Sequence, residues 1–237
     1  MAALGSALAG RGYRVLMVDC DAQGTLSAIS DAQQGGGSLA DVLGQDRAPL
    51  AGIIRSVADG LYLAPASINL ATTELQLTGR IGGSAGVIRR ALATVASDYD
   101  VALLDMAPHI GNISVAALAA AEGRIAPTLA ELPALAALRV FLEAIEQVRE
   151  EVNGDLELIG ILVTMYQART SHHRQALEAL LAGDYPVLLP PIPRTIAMAD
   201  ATAARQSIIS YAPGSAAALA YQQIAEELEE WLNERHQ

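Results

Sequence analysis

A short apolar run that ends in acidic residues constrains this chain more than any other stretch. Residues 15–18 are apolar, Asp19 closes the run, and Asp21 follows two positions later, ahead of a polar turn at residues 23–24. An apolar run bounded by turn residues is typical of a buried parallel strand. Chemistry in parallel sheets gathers at the carboxyl ends of the strands. The two acids therefore favour a cation site, a phosphate-bound metal or a base role, with a solvated strand-to-helix turn as the ordinary alternative.

Composition limits the class of protein. The chain has 237 residues, of which 52% are hydrophobic, so it can bury the core of one α/β domain or of two small ones. No apolar run reaches the roughly 18 residues that a membrane-spanning helix needs. The single cysteine, Cys20, excludes a disulfide within the chain and fits a reducing compartment. We therefore expect a cytoplasmic protein.

The basic residues are all of one kind. All 15 are arginine, and no lysine occurs in the 237 residues. Any mechanism that needs a lysine ammonium is therefore absent from these residues. The formal net charge of −11 argues against nucleic-acid binding by the whole surface.

Apolar runs and helical periodicities alternate along the chain. We predict strands at 14–19, 61–65, 99–105, 124–127, 156–164 and 187–192. We predict helices at 2–10, 38–43, 49–57, 67–77, 84–97, 112–121, 134–151, 171–182, 196–204 and 214–234. Residues 25–37 are predicted to form a flexible turn, and Gly82-Gly83 interrupts a helical region. The alternation predicts one α/β domain over residues 1–237, doubly wound, with a mostly parallel sheet and helices on both faces.

Four stretches in order resemble the ParA/MinD branch of P-loop ATPases, on its ParA side (plasmid and chromosome partition). Residues 14–24 are similar to the family's apolar strand followed by Asp-x-Asp-Pro-Gln-Gly, with Ala22 in place of the proline. Residues 99–111 are similar to its Walker B strand and the Asp-x-x-Pro-x-x-Gly that follows. Residues 162–170 resemble a family strand and loop, and residues 192–221 resemble the C-terminal pattern. The resemblance covers nearly the whole chain and implies a P-loop NTPase-like fold.

The resemblance implies roles for the acids at the strand ends. Asp105 would hold Mg²⁺ through water, Asp19 would lie beside the same metal and the phosphates, and Asp21 would orient or activate the attacking water. Nucleotide contacts are also implied for Gln23 and, around the adenine, for Thr164, Met165, Pro193 and Arg194. The ordinary alternatives are structural, because a strand-end acid also caps helices and a proline turn also redirects a chain.

The family's phosphate-binding element, Lys-Gly-Gly-x-Gly-Lys-(Thr/Ser)-(Thr/Ser), is expected after a first strand and just before the helix at 2–10. The sequence starts too late to contain either, and Gly35-Gly36-Gly37 lacks the lysine and the helix start that would replace it. Mg²⁺ and ATP are the family's cofactors. We expect these residues to bind neither tightly and to be catalytically silent, because several charge-assisted phosphate contacts are missing. Either the cellular protein carries the loop upstream of Met1, or the chain is a degenerate relative that binds no nucleotide.

The missing strand also affects the expected fold. In the family it lies beside the Walker B strand, so residues 101–104 would have an unpaired edge here. We predict a domain-swapped or partner-completed dimer, or poor stability.

Partners are implied by the resemblance. The family binds DNA non-specifically, and Arg169 and Arg174 are the candidates here, although a second family arginine is replaced by Ala197. The last helix carries many glutamates around Trp231, which disfavours binding to an anionic membrane. A homodimer and a ParB-like or cargo-adaptor protein are the expected partners.

The sequence therefore predicts a ParA-like partition or positioning protein, ancestrally a Mg-ATP-dependent dimerising ATPase. A nucleotide-independent scaffold or regulator that dimerises with a ParA or a cargo adaptor is the second hypothesis. A third is another enzyme of the same branch, such as an amide-ligase-like synthase.

Overall fold

A computed structural model describes residues 1–30, 36–44, 47–77 and 84–235. These residues form two compact units. The first unit comprises residues 1–121 with 205–207, and the second comprises residues 122–204 with the residues from 208 onward. Each unit has its own sheet. That residues 1–237 form a single domain stays a prediction.

The first unit is built on a four-stranded sheet. Its strands are β1 (Val15–Asp19), β2 (Arg55–Ala58), β3 (Leu61–Ala64) and β4 (Val101–Asp105), in the order β2-β3-β1-β4. Its helices are α1 (Ala2–Gly10), α2 (Thr25–Ile29), α3 (Leu39–Leu43), α4 (Asn69–Leu77), α5 (Val87–Ala93) and α6 (Asn112–Ala120). Short 3₁₀ helices lie at Leu50–Gly52 and Ala96–Asp98. β1 runs parallel to both β3 and β4, whereas β2 is antiparallel to β3.

Strand β1 is buried along its whole length because helices cover both of its faces. Leu16 and Val18 belong to the apolar core that includes residues of α3, α4, α5 and α6. Met17 points to the opposite face, where a Cβ on Gly5 of α1 would come within 3.0 Å of its sulfur atom. A strand buried on both faces is expected to read as a continuous apolar run, as residues 15–18 do.

The second unit has a three-stranded parallel sheet. Its strands are β5 (Gly123–Leu129), β6 (Glu157–Thr164) and β7 (Val187–Leu188), in that order. Its helices are α7 (Leu132–Val152), α8 (Ser171–Leu181), α9 (Ile196–Ala203), α10 (Ile208–Tyr211) and α11 (Ala216–Arg235). β7 is shorter than the predicted strand 187–192, because Pro190 and Pro191 have no N–H to donate to a ladder. The α/β class with a mostly parallel sheet and helices on both faces is confirmed.

The predicted helix at 49–57 is wrong. Only Leu50–Gly52 are helical, and Arg55–Ala58 form strand β2. The chain then turns at Asp59-Gly60, where Gly60 has φ = +68°, and pairs Ser56 with Tyr62 of β3. An Asp-Gly pair between two short strands is a strong hairpin signal. The structure of this stretch is therefore determined by its pairing with β3 and not by its own apolar residues.

The flexible turn predicted over residues 25–37 is also wrong in part. Thr25–Ile29 form helix α2, which begins directly after Gly24. Residues 31–35, and with them Gly35 of the glycine run, lie outside the described residues, as do Gly82 and Gly83. The helix forms because a buried carboxylate, described below, accepts hydrogen bonds from its first turn.

Strand β4 lies at one edge of its sheet. Among the described residues it pairs with β1 alone, and each of its residues is partly or fully exposed, whereas every residue of β1 is buried. An apolar edge strand with free backbone groups can pair with a further strand. Dimer formation through this edge stays a prediction.

We predict that the chain self-associates through β4 and that Ala102→Lys shifts it toward monomer. Ala102 is exposed on β4, and a lysine on an edge strand disfavours edge-to-edge pairing. Sedimentation velocity over a range of concentrations measures the effect. The matched control is Ala93→Lys, which adds the same charge at an exposed position on α5. A wild-type chain that is monomeric, monodisperse and highly stable would contradict the prediction.

Candidate functional site

Two of the predicted acids lie side by side at the carboxyl ends of neighbouring strands. Asp19 ends β1, Asp105 ends β4, and the register of the parallel pair places the two residues opposite each other. The N–H of Cys20 donates to the carbonyl oxygen of Asp105 at 2.8 Å, which continues the ladder past the strand ends. Asp21 follows directly, so three carboxyl groups gather at this end of the sheet.

The Asp19 carboxylate is fully buried and accepts three hydrogen bonds. Its Oδ2 accepts from the hydroxyl of Ser27 at 2.6 Å and from the N–H of Ser27 at 2.9 Å, and its Oδ1 accepts from the N–H of Asp21 at 3.2 Å. Burial raises the pKa of Asp19, and the hydrogen bonds from Ser27 and Asp21 act in the opposite direction. Since Ser27 lies in the first turn of α2, Asp19 caps that helix. This is the structural role that the sequence left open as an alternative; a place beside a metal stays a prediction.

Ser27 extends this network to the next strand. It is fully buried, and its hydroxyl oxygen accepts from the N–H of Ala66 at 2.9 Å while donating to Asp19. Ala66 follows β3 by two residues. One hydroxyl therefore connects the end of β1, the first turn of α2 and the segment after β3.

Asp105 is only half-buried, and its carboxylate makes no side-chain hydrogen bond within the described part of the chain. Burial raises the pKa of Asp105; the ammonium group of Met1 lowers it, and the carboxylates of Asp19 and Asp21 raise it further. Met1 precedes α1, so the N-terminal end of that helix lies close enough to Asp105 to act on its charge. Asp105 is the acid of this group best placed to face a bound cation.

Asp21 and Gln23 form a tight polar turn. The Oδ1 of Asp21 accepts from the N–H of Gln23 at 2.9 Å, and its carbonyl oxygen accepts from the N–H of Gly24 at 2.9 Å. Asp21 is partly exposed, and Gln23 is exposed. Among the described residues, this turn therefore engages Oδ1 of Asp21 and not its Oδ2.

The oxygen donors suit a magnesium ion that keeps most of its water. Within the described residues no group of three or more histidine, cysteine or acidic side chains is arranged to hold a metal ion directly. Magnesium bound to a nucleotide needs only one or two protein carboxylates, because phosphates and water fill the other positions. Asp105 fits that requirement, and the place of Asp19 beside the same ion stays a prediction.

Glu74 of α4 contacts the loop that follows Asp105, a role that no sequence pattern indicates. Its Oε1 accepts from the N–H of Ile113 in the first turn of α6 at 3.2 Å, and its Oε2 lies 3.8 Å from Nε2 of His109. A Cβ on Gly111 would come within 2.1 Å of Oε1 of Glu74, so a side chain at position 111 would displace the end of the Glu74 side chain. The glycine of the Asp-x-x-Pro-x-x-Gly pattern thus leaves room for the contact between Glu74 and the first turn of α6.

The residues predicted around the adenine lie together in the second unit. Thr164 ends β6 and donates its hydroxyl to the carbonyl oxygen of Thr128 at 3.2 Å. Met165 follows with φ = +52° and is 60% exposed. Tyr166 then pairs with Pro193, and the N–H of Arg194 donates to the carbonyl oxygen of Tyr166 at 3.0 Å. The structure therefore brings Thr164 and Met165 next to Pro193 and Arg194; contact with adenine stays a prediction.

The two arginines predicted to bind DNA are exposed in the second unit. Arg169 lies in the loop before α8, and Arg174 on α8 donates to the carbonyl oxygen of Ala168 at 3.0 Å. Within the described ranges, no helix is both long and apolar enough to cross a membrane. A role in DNA binding stays a prediction.

Comparison with known proteins identifies the family. The family model of the AAA domain matches residues 1–158. The chromosome-partitioning ATPase Soj of Thermus thermophilus is 37% identical over 227 residues, which cover 95% of this chain and 87% of that protein. A structure of cobyrinic acid a,c-diamide synthase from Mycobacterium smegmatis with an ATP analogue and magnesium has 34% identity and a TM-score of 0.85, over 97% of this chain and 88% of that one.

The fold is also that of a cell-division ATPase. The MinD structure of Pyrococcus furiosus, with 21% identity, has a TM-score of 0.78 over 97% of this chain and 91% of its own. Together with the paired acids on β1 and β4, these matches define the class as the ParA/MinD-type P-loop ATPases. The chain belongs to this family, on its ParA side with Soj.

We predict that Ser27→Ala destabilises the protein by about 2–4 kcal/mol. The change removes a hydrogen bond to the buried Asp19 carboxylate and leaves the N–H of Ala66 without its acceptor. Urea unfolding monitored by circular dichroism measures it. Ser56→Ala, at an exposed position of β2, should change the free energy of unfolding by less than about 0.5 kcal/mol. Equal stabilities of the two variants would show that the network contributes nothing.

We predict that Asp105→Asn stabilises the protein at neutral pH. Because burial and the neighbouring carboxylates raise the pKa of Asp105, the folded protein holds this proton to higher pH than the unfolded chain. The wild type is therefore expected to lose stability as pH rises from the unfolded value of about 3.9 through the folded one. The Asp105→Asn variant does not lose stability in this way. Its free energy of unfolding, measured with urea, should therefore exceed that of the wild type by an amount that grows as pH rises. Asp98→Asn, at an exposed position, is the control, and an advantage that does not depend on pH would refute the argument.

Proposed function

We propose that this protein is a ParA-like partition or positioning protein whose first unit supplies the metal and water side of a Mg-ATP site. The observation that carries the proposal is the register of β1 and β4, which places Asp19 opposite Asp105, with Asp21 two residues further on. The similarity to Soj over 95% of the chain supports partition or positioning as the cellular task.

Each acid has a distinct part in this proposal. Bound Mg-ATP would supply the phosphoryl group and its charge neutralisation. Asp105, half-buried and without a side-chain hydrogen bond in the described residues, would hold water molecules of the metal shell. Asp21, partly exposed on its turn, would orient the attacking water and accept its proton. Asp19 is engaged by Ser27 and therefore fixes the backbone that carries Asp21.

Nucleotide affinity is the point at which this chain departs from its family. The 237 residues contain no lysine, so no lysine side chain among them can pair with the phosphates. Structures of the Mycobacterium smegmatis relative contain an ATP analogue or ADP together with magnesium. For residues 1–237 alone we propose weak binding of Mg-ATP and no measurable hydrolysis, because the charge-assisted contacts to the phosphates are missing.

The partners follow from the same proposal. They are a second copy of the chain and a ParB-like or cargo-adaptor protein, with non-specific DNA binding through Arg169 and Arg174 as a weaker element. The net charge of −11 disfavours DNA except at such local groups. We place the protein in the cytoplasm, on the nucleoid if it binds DNA. If no nucleotide binds in any form of the protein, its function is that of a scaffold or regulator that dimerises with a ParA or an adaptor.

A second candidate function is amide formation, as in a diamide synthase. It is favoured by the 34% identity with the Mycobacterium smegmatis synthase over 97% of this chain. The two functions differ in the substrates that they need besides ATP. A synthase activates a carboxylate with ATP and needs an amine donor, whereas a partition ATPase transfers the phosphoryl group to water.

We predict that residues 1–237 give no binding heat with Mg-ATP at micromolar concentration. A chimera that carries the first strand and phosphate loop of Thermus thermophilus Soj ahead of residue 1 should bind and hydrolyse it. In the chimera, Asp21→Ala should reduce hydrolysis by about 100-fold or more while leaving binding intact, because a positioned base contributes about that factor. Isothermal calorimetry and a phosphate-release assay measure the two quantities.

The matched control in the chimera is Asp59→Ala, an acid at an exposed turn of the same unit. Tight binding of Mg-ATP by residues 1–237 alone would contradict the proposed need for lysine contacts. A chimera whose turnover requires an amine donor and a carboxylate substrate would favour the synthase.

A further inference from the structure

The loop between β6 and α8 presents residues 167–169 to solvent. It leaves the sheet at Tyr166, whose N–H donates to the carbonyl oxygen of Ile192 at 2.9 Å. It ends at Thr170, the N-cap of α8, whose N–H donates to the carbonyl oxygen of Gln167 at 2.9 Å. The loop is therefore short, and both of its ends are fixed by backbone hydrogen bonds.

A buried histidine in the first turn of α8 binds the exposed part of this loop. His173 is 6% exposed, and its Nδ1 accepts from the N–H of Gln167 at 3.2 Å. An imidazole nitrogen accepts only when it carries no hydrogen, so this bond needs the neutral ring with its hydrogen on Nε2. His173 makes no ion pair with an acid among the residues that the structure describes, which agrees with a neutral ring.

Packing keeps the imidazole in this position. Ala176, one turn further along α8, is buried in an apolar cluster with Ala130 and Val163. Tyr166 packs against the same cluster, and the centroid of its ring lies 6.1 Å from that of His173. The acceptor of the loop therefore belongs to a packed part of the second unit and not to its exposed surface.

Arg169 is the charged residue that this arrangement exposes. Its side chain makes no hydrogen bond or ion pair within the described part of the chain. Arg174, which follows His173 on α8, donates to the carbonyl oxygen of Ala168 at 3.0 Å. Two consecutive residues of α8 thus bind the two loop residues that precede Arg169. An arginine on a loop that is already ordered loses less conformational freedom on binding than one on a loop that must first become ordered.

We propose that His173 is the positioning residue for Arg169. By accepting from the N–H of Gln167, it keeps the loop in the conformation in which the Arg169 guanidinium contacts a phosphate of duplex DNA. Arg169 makes the contact, whereas His173 is buried and acts only through the loop. The proposal rests on the DNA binding that is the weaker element of the proposed function. It uses no residue of the Mg-ATP site, so the two proposals can be tested separately.

Amide hydrogen exchange of the full ¹⁵N-labelled chain, followed by NMR, tests the role of His173 in the loop. In His173→Leu the amide of Gln167 should exchange about tenfold or more faster than in the wild type, because its acceptor is lost. His173→Asn should restore slow exchange, since its Oδ1 takes the place of Nδ1. The amide of Ile161 donates to the carbonyl oxygen of Pro186 and should exchange equally slowly in every variant, which shows that the second unit stays folded.

Binding of random-sequence duplex DNA by the full chain, measured by fluorescence anisotropy over a range of salt concentrations, tests the contact. Arg169→Gln should weaken binding and reduce the slope of log K against log salt by about 1, because one phosphate contact is lost. His173→Leu should weaken binding by about three- to tenfold and leave the slope unchanged, because the contact remains but the loop must become ordered on binding. His173→Asn should bind DNA as the wild type does.

The matched controls are His172→Leu on α8 and Arg139→Gln on α7, both at exposed positions. They should leave the exchange of the Gln167 amide and the salt slope unchanged. Three results would each overturn the proposal: equal exchange of this amide in the wild type and His173→Leu, equal DNA binding by these two proteins, or a His173→Asn variant that behaves like His173→Leu. A wild-type chain that binds no DNA at low salt would also overturn it, whereas the Mg-ATP site is tested independently by the Asp21→Ala chimera.

Discussion

The buried carboxylate of Asp19 is the interaction on which the arrangement of the first unit depends. It accepts from both donors of Ser27 and from the N–H of Asp21. Burying a charge is costly unless it is hydrogen-bonded, and three donors at 2.6–3.2 Å meet that condition. Because the same serine also accepts from Ala66, the position of Asp21 beside Asp105 is set by a network that reaches three segments of the chain. The position of the partly exposed Asp21 thus depends on the buried carboxylate of Asp19.

The sheet and its acids could be predicted because their signals are local. Residues 15–18 are apolar on both faces, and Asp19 marks the end of the strand. The hairpin at Gly60 could not be predicted from periodicity, because its first strand is stabilised by pairing with β3 and carries few apolar residues of its own. Helix α2 was missed for a related reason: it is only five residues long, and its cap comes from a carboxylate six positions before its start.

Two further residues became visible only in the folded protein. Arg124 lies in a short apolar stretch, where the sequence shows an ordinary strand, yet its Nε and Nη1 atoms are buried and have no partner in the described part of the chain. Glu74 is one of many glutamates, and its contact with the first turn of α6 joins residues 39 positions apart. Prediction from propensity uses only residues that are close along the chain. It therefore cannot distinguish Arg124 or Glu74 from the other arginines and glutamates.

The close approach of Glu74 to Gly111 has a consequence for how relatives of this protein can differ. A side chain at position 111 would push the carboxylate of Glu74 away from Ile113, and a shorter residue at position 74 would make room for it while removing the acceptor of Ile113. The two positions are therefore expected to vary as a pair among homologues. Where the pair is lost, a new acceptor for the first turn of α6 should be found nearby in sequence.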